Sequence, residues 1–411
     1  MNSVKRFFST ATVLLILLYT FIFSVVAISG KVTTVSRFYS YDEKLLCVSH
    51  RGDTAFYPEN SLEGVISALE KGADFVSVNL EKTSDGVFFL CEDESLGNVC
   101  DAPYDSLSQM KAAEVEKYYL YDIYGKETKL RMTSLQKLID KTGSKDGIIL
   151  DIKPEYKDEV YSVLKDNNAL DRIILRVDES GCKLASWAES KDERVHIIGK
   201  YTGNIIFSTI SQIKNLTDAE LSAVQYESKN YFNVAFGAFF TNRYLVTENV
   251  RAVAATYSPD LCGQRGDSFD GWNELIGKGY SVIETNNIEA FAMYKQEAER
   301  LEKSIAELLE KSVYVDPAGY SEISVSNLEK AKQNAEALIS GAVFSLDEAE
   351  KCYSRLLFAL EEMKISTGEV DTRGALNVTA GKIVATVLVG SALLAGQIYV
   401  YNMRKSKKTK G

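Results

Sequence analysis

Between Leu45 and Glu284 the chain repeats one alternation, a short apolar run followed by a polar stretch of helical spacing. Eight runs read as strands: Leu45 to Ser49, Phe75 to Leu80, Ile148 to Ile152, Ile173 to Val177, Val195 to Ile198, Ala223 to Tyr226, Val250 to Thr256 and Ser281 to Glu284. Helical stretches stand between several of them. Leu62, Val65, Ile66 and Leu69 share one face, and Ser134 to Asp140, Glu155 to Lys165 and Asp218 to Leu221 read likewise. Strands that are apolar on both faces belong in a parallel sheet covered by helices. Eight such units predict an α/β fold, a (β/α)8 TIM-type barrel. Functional side chains of such a barrel lie at the C-terminal ends of its strands, where the sequence puts His50, Asn79 and Asp151.

One apolar run breaks the pattern. Only Glu81 to Gly86 separate the second strand from Val87 to Cys91, and a parallel crossover needs about a dozen residues, so this run pairs as an antiparallel arm. Taking Asp85-Gly86 as a two-residue turn places Asn79 opposite Glu92 and brings Ser77, Asn79, Glu92 and Asp93 toward His50 and Arg51. Gly97 to Thr133 is then a polar, tyrosine-rich insertion with a helix expected from Ser106 to Val115. Its Tyr118, Tyr119, Tyr121 and Tyr124 either stack on a ligand or form a packed lid without ligand contact.

The ordered motifs are more specific than any one of them. His50-Arg51-Gly52, Pro58-Glu59-Asn60-Ser61, Gly72-Ala73-Asp74 and Thr83-Ser84-Asp85-Gly86 follow in sequence, then Leu150-Asp151-Ile152-Lys153-Pro154 and finally Ile283-Glu284-Thr285-Asn286. This series resembles the glycerophosphodiester phosphodiesterase family across roughly residues 43–289, clearly at both ends and weakly between Arg172 and Lys278. The resemblance implies a divalent metal, calcium or magnesium, and an arginine that together hold a phosphodiester. A glycerol hydroxyl attacks phosphorus, one histidine serves as base and another protonates the leaving alcohol. Carried over by position, His50, Arg51, Glu92 and Lys153 are the catalytic candidates, Arg51 and Lys153 also bind substrate phosphate, and Glu59, Asn79 and Asp151 are the metal candidates, with Glu81 one step further along the strand.

The sequence also departs from the family's pattern. Its metal-holding Glu-x-Asp is Ser77-Val78-Asn79 here, its second histidine is Glu92, and Asp151 replaces a glutamate. A hard divalent cation wants several charged oxygens, so metal binding is expected to be weakened or lost. Glu92 can serve as an acid only if burial or a neighbour such as Asp93 raises its pKa. The chain has two histidines. His196 lies between apolar neighbours within a strand and reads as a hydrogen-bonded structural residue. Catalysis is therefore uncertain. A hydrolase acting on glycerophosphodiesters or glycerol-phosphate polymers, an inactive descendant that still binds such ligands, and a surface scaffold all stand.

The rest of the chain is helical or membrane-like. Tyr294, Ala298, Leu301, Ile305 and Leu308 form one seam on a helix over Asn287 to Glu310. Asp316-Pro317-Ala318-Gly319 breaks that helix, Ser326 to Glu329 reads as a capping box for a second, and Ser345 to Glu348 as one for a third. Residues 290–365 are thus a three-helix bundle, read as a stalk or a binding surface, and 366–382 a linker. Phe7 to Gly30 and Ile383 to Tyr401 carry no charge, and each is long enough to cross a bilayer, which takes about 20 residues. Lys5-Arg6 precede the first and the basic tail 402–411 follows the second, so both ends read as cytoplasmic and the barrel and bundle as extracytoplasmic. Residues 1–30 are a retained anchor or a signal peptide cut near Ala27. Ala392 and Gly396 either support helix pairing or face lipid.

The net charge is −10 although the termini are basic. The body is more acidic still, a surface that repels nucleic acid. Six cysteines lie between the spans. Cys91 and Cys100 either pair across their short loop or remain buried thiols. No spacing suggests zinc.

Overall fold

The computed structural model describes residues 34–92, 96–179, 181–202, 222–227, 241–257 and 266–365. Both candidate membrane spans, the linker, the basic tail, Asp218 to Leu221, Asp93 and Cys262 lie outside these residues. Among the described residues no helix is long and apolar enough to cross a membrane.

The strands are β1 (Leu46–His50), β2 (Phe75–Lys82), β3 (Phe88–Leu90), β4 (Tyr119–Tyr121), β5 (Glu127–Arg131), β6 (Gly147–Ile152), β7 (Ile173–Val177), β8 (His196–Thr202), β9 (Ala223–Glu227), β10 (Arg251–Ala255) and β11 (Val282–Thr285). The eight expected parallel strands form one sheet, and β1 pairs with both β2 and β11, which closes it into a ring. Helices α1 (Leu62–Glu70), α2 (Leu135–Lys141), α3 (Lys157–Asp166), α4 (Gly181–Glu189) and α5 (Phe269–Ile276) follow strands of the ring. Ser61, Ser134 and Ser268 cap α1, α2 and α5 by accepting a backbone N–H three residues on.

Strand alternation divides the core. Cys47, Val76, Val78, Ile148, Leu150 and Leu175 point outward to the helices. Leu46, Val48, Phe75, Ile149, Ile174, Ala223 and Val282 point inward and fill the lower barrel. A short 3-10 turn, Thr34–Phe38, seals that lower end with Val35 and Phe38, both fully buried. His196 stands at the start of β8, where Tyr39 Oη, 2.7 Å from its Nδ1 and 2.6 Å from Ser222 Oγ, holds it. It is a structural residue at the end opposite the candidate site.

The hairpin register differs from expectation by one residue. Leu80 faces Leu90 and Lys82 faces Phe88, so Asn79 meets Cys91, whose N–H donates to the Asn79 carbonyl at 2.9 Å. The reason is the turn. Thr83 N donates to Val87 O, and Ser84, Asp85 and a left-handed Gly86 form a three-residue loop. Glu92 consequently leaves the strand instead of pairing within it. Cys91 and Cys100 are buried free thiols, as are Cys47 and Cys352.

The insertion has a core of its own, with Phe89, Cys91, Leu96, Leu107, Met110 and Leu120 buried together. The single helix expected there is two short turns, Leu107–Gln109 and Ala112–Val115, interrupted by extended Met110 and Lys111. Tyr118 packs against this core, Tyr119 and Tyr121 lie on the β4–β5 hairpin, and Tyr124 is exposed at its tip.

Helices α6 (Ile288–Ser312), α7 (Glu322–Ser340) and α8 (Leu346–Ile365) complete the chain. The expected seams are observed, with Ala298, Leu301, Ile305, Leu328, Ala331, Ala335, Ala349, Leu356 and Leu360 all buried. Helix α7 begins earlier than the Ser326 capping box, because Ser321 Oγ accepts from Ser324 N at 3.1 Å and starts it there. The start of α6 also packs on the barrel, where Phe291 and Tyr294 surround Trp272 of α5. Lys295 pairs with Asp74 at 2.8 Å and Lys44 donates to the carbonyls of Ile339 and Gly341. The three helices therefore share one continuous core with the outer layer of the barrel.

Candidate active site

The alternation that fills the lower barrel also builds its mouth. Two residues beyond inward Val48 comes His50; beyond Phe75 come Ser77 and then Asn79; beyond Ile149 comes Asp151. By the same step Ile174 leads to Arg176, Ala223 to Gln225 and Val282 to Glu284. A polar layer thus sits on an apolar one with no change in backbone geometry.

The turn after β1 sets the first two site residues. Arg51 adopts a left-handed conformation, φ 60°, and its N–H donates to Ser77 O at 2.8 Å. For a non-glycine residue this is strained, and the surrounding bonds hold it there. Gly52 follows with φ 91°, and a Cβ there would lie 2.8 Å from the carbonyl carbon of Gly64. Gly52→Ala is expected to lower the unfolding free energy by about 1–3 kcal/mol, measured by urea denaturation; an unchanged midpoint would refute this account of the turn. Asn60, also left-handed, donates its N–H to Arg51 O at 2.9 Å and accepts Asn79 N at 3.0 Å through its side chain. The Pro58-Glu59-Asn60 segment thereby ties the β1 turn to β2.

His50 is buried and clamped. Tyr257 stacks on its ring at 3.5 Å with the planes 5° apart, and Nδ1 lies 3.0 Å from Asn286 Oδ1. Asn286 is itself placed by Asp267, which accepts its N–H at 3.1 Å and also bonds the hydroxyls of Thr256 and Thr285. An amide oxygen only accepts, so Nδ1 carries the proton and Nε2 is left as the acceptor. Burial pushes the His50 pKa down to about 4; the fields of Arg51 and Arg176 act in the same sense, against Glu284 and Asn286. The imidazole is neutral at physiological pH.

The cationic residues are paired with carboxylates. Arg51 bonds Glu59 at 2.9 Å and also pairs with Glu92, yet its buried Nε has no hydrogen-bond partner. Glu92, 37% exposed, is thus a counter-ion of Arg51. Lys153 pairs with Glu81 at 2.7 Å, and Tyr156 Oη donates to the same carboxylate at 3.2 Å. Arg176, 2% exposed, pairs with Asp151 at 2.9 Å and Glu284 at 2.6 Å. Burial opposes the Arg176 charge, and those two carboxylates outweigh it and raise its pKa above the ordinary arginine value. Burial likewise opposes the Glu284 charge, but Arg176, His50 and Ser77 hold its pKa below the usual range.

The carboxylates that would hold a divalent cation are already engaged. Glu59 is engaged by Arg51 and Asp151 by Arg176, and Asn79 brings no charge. Among the described residues no three carboxylate, imidazole or thiol groups converge as a ligand set. The donor set as it stands does not fit such an ion.

Sequence comparison bears on this geometry directly. The pattern of the Glycerophosphoryl diester phosphodiesterase family matches residues 50–228, which contain the β1 turn, Asn79, Glu92, Asp151, Lys153 and Arg176. Through its barrel, the chain belongs to this family. A glycerophosphodiester phosphodiesterase of Bacillus subtilis is 22% identical over 225 residues, 51% of this chain and 73% of that protein. One from Caldanaerobacter subterraneus is 24% identical over 140 residues, 32% of this chain and 57% of its own length. Glycerophosphodiester phosphodiesterase 1 of Rattus norvegicus is 26% identical over 127 residues, 26% of this chain and 38% of its own. The chain thus spans less than two thirds of the latter two. A solved glycerophosphoryl diester phosphodiesterase from Parabacteroides distasonis shares the fold, with a TM-score of 0.53 at 20% identity, covering 63% of this chain and 90% of that one.

Tyr257, Asn286, Asp267, Arg176 and Gln225 shape the site without any role assigned by the motifs. Strand parity was the available signal for Arg176 and Gln225. An arginine in the middle of a strand buried on both faces has nowhere to put its charge except the barrel mouth.

Proposed function

We propose that this chain is a membrane-anchored, extracytoplasmic phosphodiester hydrolase of the glycerophosphodiester type. The carrying observation is His50, held neutral with Nδ1 on Asn286 and next in sequence to the phosphate-binding candidate Arg51. Nε2 takes the proton of an attacking glycerol hydroxyl. Arg51, which has an unsatisfied buried donor, exchanges Glu59 or Glu92 for phosphate oxygens, and Lys153 adds a second positive charge. Glu92, standing where the family has its second histidine, is an ionised counter-ion of Arg51, so the proton taken up by His50 Nε2 is the one passed to the departing alcohol. The attack expels the alcohol and leaves a cyclic glycerol phosphate, and water then breaks one ring P–O bond to give glycerol 3-phosphate.

The test is release of glycerol 3-phosphate from glycerophosphocholine by the full-length chain in detergent, with Arg51→Met beside it. The variant is expected to lose turnover by roughly 10²-fold or more; equal rates would show that the product comes from a contaminant. A second reading, ligand binding without turnover, is favoured by the counter-ions already on every cation named above. Saturable binding of glycerol 3-phosphate with no product release would establish it. The membrane placement rests on the uncharged spans Phe7 to Gly30 and Ile383 to Tyr401 and their basic flanks. Protease added outside intact cells should digest the barrel and spare the tail, and digestion only after lysis would reverse the placement.

A further inference from the structure

Where the family resemblance leads one to expect oxygen ligands around a metal ion, the barrel mouth seats a guanidinium. Arg176 lies directly across the β6–β7 ladder from Asp151. Its Nε and Nη2 donate to Asp151 Oδ2 at 3.1 and 2.9 Å, and its Nη1 donates to Glu284 Oε2 at 2.6 Å and Gln225 Oε1 at 2.9 Å. The other carboxylate oxygen of Glu284 accepts the hydroxyl of Ser77, the residue standing in place of a family glutamate. We propose that Arg176 is the resident cation of this site, doing for Asp151 and Glu284 what a divalent metal would do, so that the mouth is complete without one. This deepens the functional reading above and rests on it for the identity of the ligand, a phosphodiester bound by Arg51 and Lys153.

Three features carry the inference. First, the layer is short of acid and holds a buried base: Ser77 and Asn79 of β2 are uncharged, while β7, on the far side of β6, carries a buried arginine. Second, Asp151 Oδ2 and both carboxylate oxygens of Glu284 already accept protein donors. Calcium approaches its ligands to about 2.3–2.6 Å, and an ion at Asp151 Oδ2 or Glu284 Oε2 would press against a fixed positive charge in a buried layer, where repulsion is weakly screened. Third, Arg176 has no alternative position. Its acceptors come from β6, β9 and β11, and displacing a buried guanidinium from them leaves its donors and theirs unsatisfied.

The experiment measures metal uptake and thermal midpoint of the full-length chain in detergent, with Ca2+, Mg2+ and Mn2+ each compared with EDTA. The wild type is expected to take up no stoichiometric ion and to shift by less than about 1 °C. A saturable rise of more than about 3 °C with one ion per chain, lost in Asp151→Asn, overturns the proposal. Arg176→Met leaves Asp151 and Glu284 facing each other without a cation, and is expected to acquire the Ca2+-dependent stabilisation that the wild type lacks. A folded Arg176→Met chain no more responsive than wild type also overturns it. If that variant does not fold, wild-type uptake decides alone. Hydrolysis is scored separately: turnover that requires Ca2+ or Mg2+ sinks the resident-cation proposal and leaves the hydrolase reading intact. Absence of turnover together with absence of metal uptake sinks the hydrolase reading and supports the resident cation.

Discussion

Replacing His50 with alanine is expected to lower the turnover of glycerophosphocholine by roughly 10²- to 10⁴-fold, the usual contribution of a positioned general base. The fall should appear in kcat with little change in KM, because in the mechanism we propose His50 handles a proton in the transition state while Arg51 and Lys153 hold the phosphate. Asn286→Ala should produce a smaller loss. It keeps the base but removes the partner that holds the Nδ1 tautomer at 3.0 Å, and Tyr257 stacked at 3.5 Å still restrains the ring. The pH profile supplies a check that a merely structural histidine would not pass. A base held near pKa 4 by burial is unprotonated throughout the neutral range, so the acid limb of kcat/KM should fall near pH 4 and not near the usual 6.5. Turnover of His50→Ala within threefold of wild type, on the order of 0.7 kcal/mol, would remove His50 from the mechanism.

The barrel was legible because its strands are apolar on both faces, and an eightfold alternation of such runs has few other solutions. The gathering of His50, Asn79 and Asp151 at one barrel mouth was legible because motif and strand end coincide. What the sequence concealed was pairing. That Glu92 would join Glu59 on Arg51 depends on a three-residue turn at Ser84 to Gly86, and one residue of register separates Glu92 within the hairpin from Glu92 beside the arginine. The partnership of Arg176 with Glu284 joins residues 108 positions apart, and no local pattern reports it. The same holds for Tyr257 over His50 and for Asp267 behind Asn286. Tyr257 follows β10 and meets His50 only through closure of the ring, while Asp267 reaches Asn286 between the loops of the neighbouring strands β10 and β11. The bundle was readable as three apolar seams, but its attachment to the barrel was not, since Lys295, Asp74 and Lys44 look like ordinary surface charges in the sequence.

Acid should unfold this chain in two stages, and the first belongs to its histidines. His50 and His196 are both held near pKa 4, against an ordinary 6.5, chiefly by burial. Between those values the unfolded chain binds protons that the folded chain refuses, so stability rises with pH there and is lost as pH falls from 6.5 toward 4. Each depressed histidine accounts for up to roughly 3 kcal/mol over that window. The carboxylates act lower. Burial opposes the charge of Glu43, but Arg37 and Lys295 outweigh it and hold the pKa near 2, and Glu284 is lowered by Arg176. Their stabilisation is present above the ordinary carboxylate pKa of 4.5 and disappears as pH falls below it. Urea unfolding measured from neutral pH down to about 4 should therefore show stability already declining between pH 6 and 5, before most carboxylates titrate. His196→Gln, away from the candidate site, should flatten that slope by about half while leaving hydrolysis intact. A stability curve flat from pH 7 to 5 would mean that neither imidazole is held neutral by the fold, and the assignment of His50 as a neutral base would fall with it.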